Sequence, residues 1–482
     1  MKNNGFVPPM LIGRQSECET LKECLISSRS EFVIVCGRRR IGKTFLIDQF
    51  FGGQYDFSFV GKHKTKTQTQ LRYFAKAITK YSGHKQQPYA DWYEAFDALE
   101  EYLETLPTDR KKIIFIDEMP WIDTQRSTFV SALENFWNGW ANRRYDIVLI
   151  ASGSATSWMA DKLVDNQGGL HNRITRRLYL EPFTLAETEA YFRLFDFPLT
   201  RYDILQCYMF TGGIPFYLSL MNPKMSVAQN VDMLFFRRNA PLRKEYDELY
   251  TALFSHVESY IKVVEVLNKH KSGMTKREIG KAVNLNGKYL NTVLNNLEQC
   301  DFIDTYELFE KKNTLVYRLV DFYTLFYFKF IAGHHNKDKD WWSHNLESQS
   351  IKSWMGLTFE LVCMRHHLQI KKALGISGIS TSVSTWKCAP DTENEIPGAQ
   401  IDMIIERADR IVHLCEMKFS EQQYNITSDY ELRLRNRMGI FKQKTQTKQS
   451  VVYTFITTFG VGEGKHHSIV HSEVTMDDLF DL

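Results

Sequence analysis

The segment Phe32–Thr44, FVIVCGRRRIGKT, constrains this chain more than any other. An apolar, β-branched run enters a loop bounded by two glycines, and Lys-Thr then opens an amphipathic run, FLIDQFF. The spacing fits G-x-x-x-x-G-K-[ST] in the strand-to-helix context that pattern requires. Gly37 and Gly42 let the backbone turn so that its N–H groups face an anion at a helix N-terminus. Lys43 is suited to the β- and γ-phosphate oxygens, and the Thr44 hydroxyl to Mg²⁺. The loop residues Gly37, Arg38, Arg39, Arg40, Ile41, Gly42, Lys43 and Thr44, with Phe45 behind them, form the candidate nucleotide-binding set.

A second strand supplies the acid that such a loop needs. In Lys111–Glu118, KKIIFIDE, an apolar run ends in two carboxylates. Asp117 is expected to hold the Mg²⁺ shell, and Glu118 to polarise the attacking water. ATP and Mg²⁺ are therefore the expected cofactors. The three loop arginines occupy positions where the backbone, not the side chain, binds phosphate. They are expected to point outward and pair with acids for at least two of the three, leaving one free to report nucleotide state.

Four strands, Phe32–Cys36, Tyr55–Val60, Lys112–Asp117 and Ile147–Ser152, alternate with helical patterns such as Ser127–Ala141. That alternation predicts an α/β unit around a parallel sheet. At 482 residues the chain exceeds one ordinary core, so several domains are expected. A net charge of +3 is nearly neutral at this length, so any nucleic-acid site must come from a local basic surface. The eight cysteines include no C-x-x-C pair and several sit in apolar runs, the pattern of buried reduced thiols. No run approaches membrane-spanning length and no apolar signal segment opens the chain, so a soluble, cytoplasmic protein without a membrane partner is expected.

The ordered series of motifs resembles AAA+ and related signal-transducing ATPases, and in particular the archaeal-type P-loop ATPases. It includes Leu11-Ile12-Gly13-Arg14 ahead of the Walker A loop, the acidic strand, and IVLIASGS (Ile147–Ser154). GGLHNRITRRLYLEPF follows from Gly168, and TGGIPFYL spans Thr211–Leu218. The resemblance implies that Gly13 and Arg14 line an adenine pocket and that Ser152 or Ser154 touches the γ-phosphate or its water. It also implies a sensor or finger arginine at Arg173, with Arg176 and Arg177 as alternatives. A finger working on a neighbouring subunit would require a homo-oligomer. Gly212 and Gly213 permit a tight turn, and Pro215 starts a helix.

Beyond this core, residues 258–322 read as three helices and a hairpin, the winged form of a helix-turn-helix. Thr275 and Glu278 form a capping box. Between Ile261 and Cys300 there are seven Lys/Arg against three Glu. Lys288, Tyr289 and Asn291 on the third helix and Lys311 and Lys312 on the wing are candidate DNA contacts.

Towards the C-terminus, Gly398–Ser420 reads as a hairpin carrying Asp402, Glu416 and Lys418. Side chains alternate across a strand, so Glu416 and Lys418 share a face, and the right register brings Asp402 onto it. Two carboxylates can hold a divalent metal, with Lys418 stabilising phosphate charge or activating water. Glu360, upstream on a helical run, could complete the metal shell. This order resembles the PD-(D/E)xK nuclease fold, although Gln400-Ile401 precede Asp402 where a Pro-Asp pair is usual. The three histidine pairs, at 334–335, 366–367 and 466–467, are expected to be solvated rather than metal-bound.

The expected architecture is thus an ATPase core (1–183), a helical lid (184–257), a winged helix (258–322), a linker (323–349) and an α/β restriction-endonuclease-like domain (350–482). The expected function is ATP-dependent control of that last domain on DNA. The rival is a nucleotide-dependent switch, scaffold or transcription regulator whose nuclease-like domain only binds a protein partner.

Overall fold

The computed structural model describes residues 11–124, 126–154, 157–159, 170, 172–254, 256–309, 311–334, 338–390 and 397–481. Two compact units emerge, Met1–Pro182 and Phe183–Leu482. The first is built on β1 (Glu31–Gly37), β2 (Phe57–Val60), β3 (Lys112–Asp117), β4 (Ile147–Ser154) and β5 (Arg176–Leu180). These form one sheet in the order β2-β3-β4-β1-β5, with every pairing parallel. β3 and β4 are buried along their whole length, which explains their unbroken apolar runs.

The side chains of Phe57 and Phe59 pack against Phe74 on the helix Thr67–Ser82, and Phe59 also meets Trp92 on the helix Trp92–Glu104. Asp91 caps the latter helix by accepting from the Tyr93 and Glu94 N–H groups. At the start of β3, the buried Lys112 ammonium meets Asp146, just ahead of β4, at 2.7 Å.

Four of the five strands are the expected ones. β5 was not anticipated, because its opening Arg176-Arg177 masks a period of two. Leu178 and Leu180 face inward while Arg177 and Tyr179 are exposed. Arg176 lies 3.8 Å from Glu23, so two of the arginines weighed as sensors are carried by an edge strand.

In the second unit, helices at Leu185–Leu194, Arg201–Thr211 and Glu245–Leu253 precede a three-helix group, Val257–Lys269, Lys276–Val283 and Gly287–Gln299. Thr275 and Glu278 make the anticipated capping box. Gly212 and Gly213 hold positive φ angles of 62° and 69°, and a Cβ on Gly213 would lie 2.2 Å from the Phe183 carbonyl oxygen.

The strands are β6 (Met274–Thr275), β7 (Ile303–Leu308), β8 (Lys311–Leu319), β9 (Thr381–Cys388), β10 (Ala399–Arg407), β11 (Ile411–Lys418), β12 (Ser450–Thr457) and β13 (Val470–Thr475). They form a single eight-stranded sheet, β13-β12-β11-β10-β9-β7-β8-β6. The parallel pairing of β7 with β9, Glu307 to Ser384 and Leu308 to Thr385, makes the hairpin continuous with the C-terminal sheet. The sequence divides these two regions with a linker, but the sheet crosses it. An unpaired edge of β7 would expose N–H and C=O groups, and β9 covers them.

The histidine expectation needs correcting at His366, which is only 2% exposed. Its Nε2 accepts from the Leu185 N–H at 3.1 Å, and its Nδ1 meets the Val362 carbonyl at 2.8 Å. With both ring nitrogens satisfied, a neutral imidazole can lie in the core. His466 and His467 meet Glu431 and Glu473 instead, and His335 lies outside the described residues. Among the described residues no helix is long and apolar enough to cross a membrane.

Candidate functional site

β1 ends at Gly37 and the helix Lys43–Phe51 begins just after Gly42, whose φ of 92° is left-handed. Gly37 is required for space: a Cβ there would lie 2.6 Å from the Leu180 carbonyl oxygen on β5. Lys43 is 6% exposed and its ammonium donates to the Gly37 and Arg38 carbonyls, each at 3.1 Å. These contacts hold a cation inside the loop at the helix N-terminus, where an anion is favoured.

Because β4 lies between β1 and β3, the C-terminal ends of all three converge. Thr44 Oγ1 donates to Asp117 Oδ2 at 2.8 Å. The other oxygen, Oδ1, accepts from the Ser152 hydroxyl and from the Glu118 N–H. A hydroxyl and a buried carboxylate in contact are hard oxygen donors, a set that fits Mg²⁺. Glu118 has a left-handed φ of 49°. Burial pushes its carboxyl pKa up; Lys43 and Arg39 oppose this while Asp117 adds to it. Gly61, which the sequence did not flag, lets β2 pass this turn: a Cβ there would be 2.4 Å from the Glu118 carbonyl oxygen. A small residue directly after a strand was its only signal.

The loop arginines depart from expectation. Arg38 is 2% exposed, and Arg39 and Arg40 are half-buried, so none of them projects freely outward. The reason is location: the loop starts where a fully covered central strand ends, so its first side chain stays inside the unit. The Arg39 guanidinium lies 6.0 Å from the Trp121 ring. Ile41 is buried and Phe45 exposed.

Gly13 and Arg14 both have positive φ, and Arg14 Nη2 donates to the Glu181 carbonyl at 2.7 Å. Arg14 thereby ties the start of the helix Gln15–Ile26 to the end of β5. Ser154 is buried at the end of β4. Arg173 sits on an exposed turn before β5, and its backbone N–H bonds to the Leu170 carbonyl at 3.0 Å. Gly168 lies outside the described residues.

A second group of candidates gathers in the other unit. Met403 pairs with Cys415 across antiparallel β10 and β11, so the next position outward sets Asp402 opposite Glu416. The β10–β9 register shifts between Ile401 and Ile404, a bulge that spans Asp402 and Met403. Glu360, on the helix Gln349–Arg365, joins Asp402, Glu416 and Lys418 around a groove of about 510 Å³, together with Arg433 and Arg437. The face predicted from strand alternation is therefore assembled.

Its charges are largely internally matched. Glu416 Oε1 meets Lys418 Nζ at 2.7 Å and also the Tyr430 hydroxyl, and Oε2 meets Arg437 Nη1 at 2.7 Å. Burial raises the Glu416 pKa, but Lys418, Arg437 and the hydrogen bonds outweigh it and hold the carboxyl below its ordinary value. Glu360 is pushed up to about 8 by burial and by the Asp402 charge. Among the described residues no group of three or more His, Cys, Asp or Glu side chains is disposed to hold a metal. With both Glu416 oxygens facing cations, the anticipated set Glu360, Asp402 and Glu416 does not fit a metal in this arrangement.

On the three-helix group, Lys288 and Tyr289 are exposed at the start of Gly287–Gln299. The side chains of Lys311 and Lys312 lie outside the described ones.

Residues 11–221 match the family model of an ATPase domain predominantly from Archaea. An uncharacterized protein of Methanocaldococcus jannaschii is 24% identical over 376 residues, covering 75% of this chain and 78% of its own length. Among solved structures, the Walker-type ATPase of Pyrococcus abyssi is similar over 65% of this chain and 95% of its own, at 17% identity and a TM-score of 0.46. The ORC2 protein of Aeropyrum pernix, in its ADPNP–ADP complexes, covers 76% and 98% at 13% identity and a TM-score of 0.42. Over residues 11–221 the loop, its acidic strand and the match to the ATPase-domain family agree.

Proposed function

We propose that this protein binds and hydrolyses Mg²⁺-ATP and uses its nucleotide state to control a DNA-binding C-terminal unit. The observation that carries the reading is the contact of Thr44 with Asp117 beside Lys43 and Glu118. Lys43 and the loop N–H groups hold the phosphates, while Thr44 and Asp117 hold Mg²⁺, which supplies charge neutralisation on the phosphates. Ser152 fixes the Asp117 carboxylate through its hydroxyl. Glu118 orients the attacking water and accepts its proton, a role suited to a carboxyl whose pKa is raised. Arg173, on its exposed turn, is assigned the sensor or finger role, which it fills only when a partner or closure brings phosphate to it.

Within residues 258–322 the helices and hairpin act as a winged helix, with Lys288 and Tyr289 meeting the duplex. A second reading for residues 350–482, nucleic-acid cleavage, is favoured by one observation: Glu360, Asp402, Glu416 and Lys418 share a groove. The ion pairs on Glu416 favour instead a face that binds a partner.

The test is ATP turnover and DNA binding by the full chain, with Lys43→Ala, Glu118→Gln and Lys288→Glu. Glu118→Gln is expected to keep ATP affinity while turnover falls about 100-fold or more. Lys43→Ala is expected to lose both. A Glu118→Gln protein that hydrolyses ATP at the wild-type rate sinks the assignment. DNA retention that ignores Lys288→Glu sinks the winged-helix contact. DNA cleavage that vanishes in Lys418→Ala decides for the second reading.

A further inference from the structure

A cavity of about 350 Å³ adjoins the carboxylate groove. Its walls come from the first helix of the three-helix group (Leu267), the segment after β8 (Leu325, Phe328), and the helix Gln349–Arg365 (Trp354, Leu357, Leu361). The lining is mainly apolar, and the volume falls in the range of about 300–1,000 Å³ that small organic ligands occupy.

Three cations, Lys271, Arg318 and Lys329, also line it, against two carboxyl groups, Glu360 and Asp402. Arg318 and Asp402 face one another, 3.9 Å apart. Lys329 has no hydrogen-bond or ion-pair partner among the described residues, and Lys271 donates only to the side chain of Asn268. An apolar chamber bordered by two ammonium groups without an acid partner has a definite complement.

We propose that this cavity binds a small organic anion, an apolar or aromatic body carrying one carboxylate or phosphate group. The body lies against Phe328, Trp354 and Leu357, and the anionic group meets Lys329 and Lys271. Two ammonium groups facing one space repel each other, and an anion between them removes that repulsion. In line with this, surrounding protein and then the Lys329 charge push the Lys271 ammonium down to about 8, although part of its side chain stays exposed.

The position gives the site a consequence. Glu360, Gln400 and Asp402 line both this cavity and the carboxylate groove, so the two spaces share these three residues. An occupant of the cavity therefore borders residues that also line the groove. The assignment rests on this chamber's own chemistry and stands or falls independently of ATP hydrolysis.

The experiment uses the full chain and the probe 8-anilinonaphthalene-1-sulfonate, which joins an aromatic body to one negative charge. Saturable one-to-one fluorescence enhancement is expected. In Lys329→Glu the probe's Kd is expected to rise about tenfold or more, while Lys329→Arg restores it. Leu357 is exposed at 43%, so Leu357→Trp can fill the chamber without disturbing the core, and it is expected to abolish the enhancement. Octanoate and phenyl phosphate, added as competitors, separate a carboxylate preference from a phosphate preference. Absence of saturable binding overturns the proposal, as does binding that ignores either Lys329→Glu or Leu357→Trp.

Discussion

Arg318 Nη1 lies 3.9 Å from Asp402 Oδ1, and the same guanidinium donates to Thr385 Oγ1 at 2.7 Å. One buried side chain on β8 thus reaches across β7 to β9 and β10, tying the hairpin to the carboxylate face. Arg318→Met keeps the bulk and removes both polar contacts. It is expected to destabilise the protein by about 1–3 kcal/mol, the usual loss for a buried charged hydrogen bond. Thermal unfolding followed by circular dichroism checks this, and an unchanged melting temperature would show the link to be ornamental.

Gly37→Ala tests the close approach of the phosphate loop to β5. A Cβ would sit 2.6 Å from the Leu180 carbonyl oxygen, on a residue with φ of 150°. The loop must shift, so nucleotide affinity is expected to fall more than about tenfold, since misplaced donors lose their contacts with phosphate. Titration with a fluorescent ATP analogue measures it. Gly464→Ala, with nothing within 4 Å, is the control expected to bind as wild type does.

Asp146 gives the first unit an acid dependence. Burial alone would raise its pKa, but hydrogen bonds from Arg144 and Lys112 outweigh that and bring it down to about 2. A carboxyl that is more acidic when folded stabilises fully above its unfolded value of about 3.9. That contribution is lost as the pH falls from about 4 to 2. Asp146→Asn leaves Lys112 charged and buried, so it is expected to cost about 3–5 kcal/mol at neutral pH. Acid titrations of the wild type and the variant, followed by tryptophan fluorescence, test both statements.

His366 works over a different range. Burial pushes its pKa from 6.5 to about 4. The unfolded chain takes up this proton near pH 6.5 and the folded chain only near 4, so stability falls as the pH drops through that interval. The total is about 3 kcal/mol. In His366→Gln the interval between pH 6.5 and 4 is expected to flatten, as chemical denaturation at a series of pH values would show. A slope equal to that of the wild type would place the titration on another group.

Much of the nucleotide site was legible because its signals are local. Two glycines and a lysine at fixed spacing dictate a strand-loop-helix turn, and KKIIFIDE announces a buried strand with acids at its end. The Thr275–Glu278 capping box was legible for the same reason, since both partners lie within one helical turn. Strand alternation likewise placed Glu416 and Lys418 on one face. The antiparallel register then added Asp402, because a hairpin's pairing follows from the turn that closes it.

What the sequence alone determined were chemistries carried by neighbours along the chain: the phosphate loop, the acidic strand, the caps and the carboxylate hairpin. Only the tertiary structure decided which distant surfaces meet. It inserted β4 between β1 and β3, so that Ser152 reaches Asp117. It buried Arg38 and His366, joined β7 to β9, and brought Arg318 to Asp402. Periodicity reports which side of an element is covered; the identity of the covering element depends on contacts between residues far apart in the chain, which no local pattern encodes.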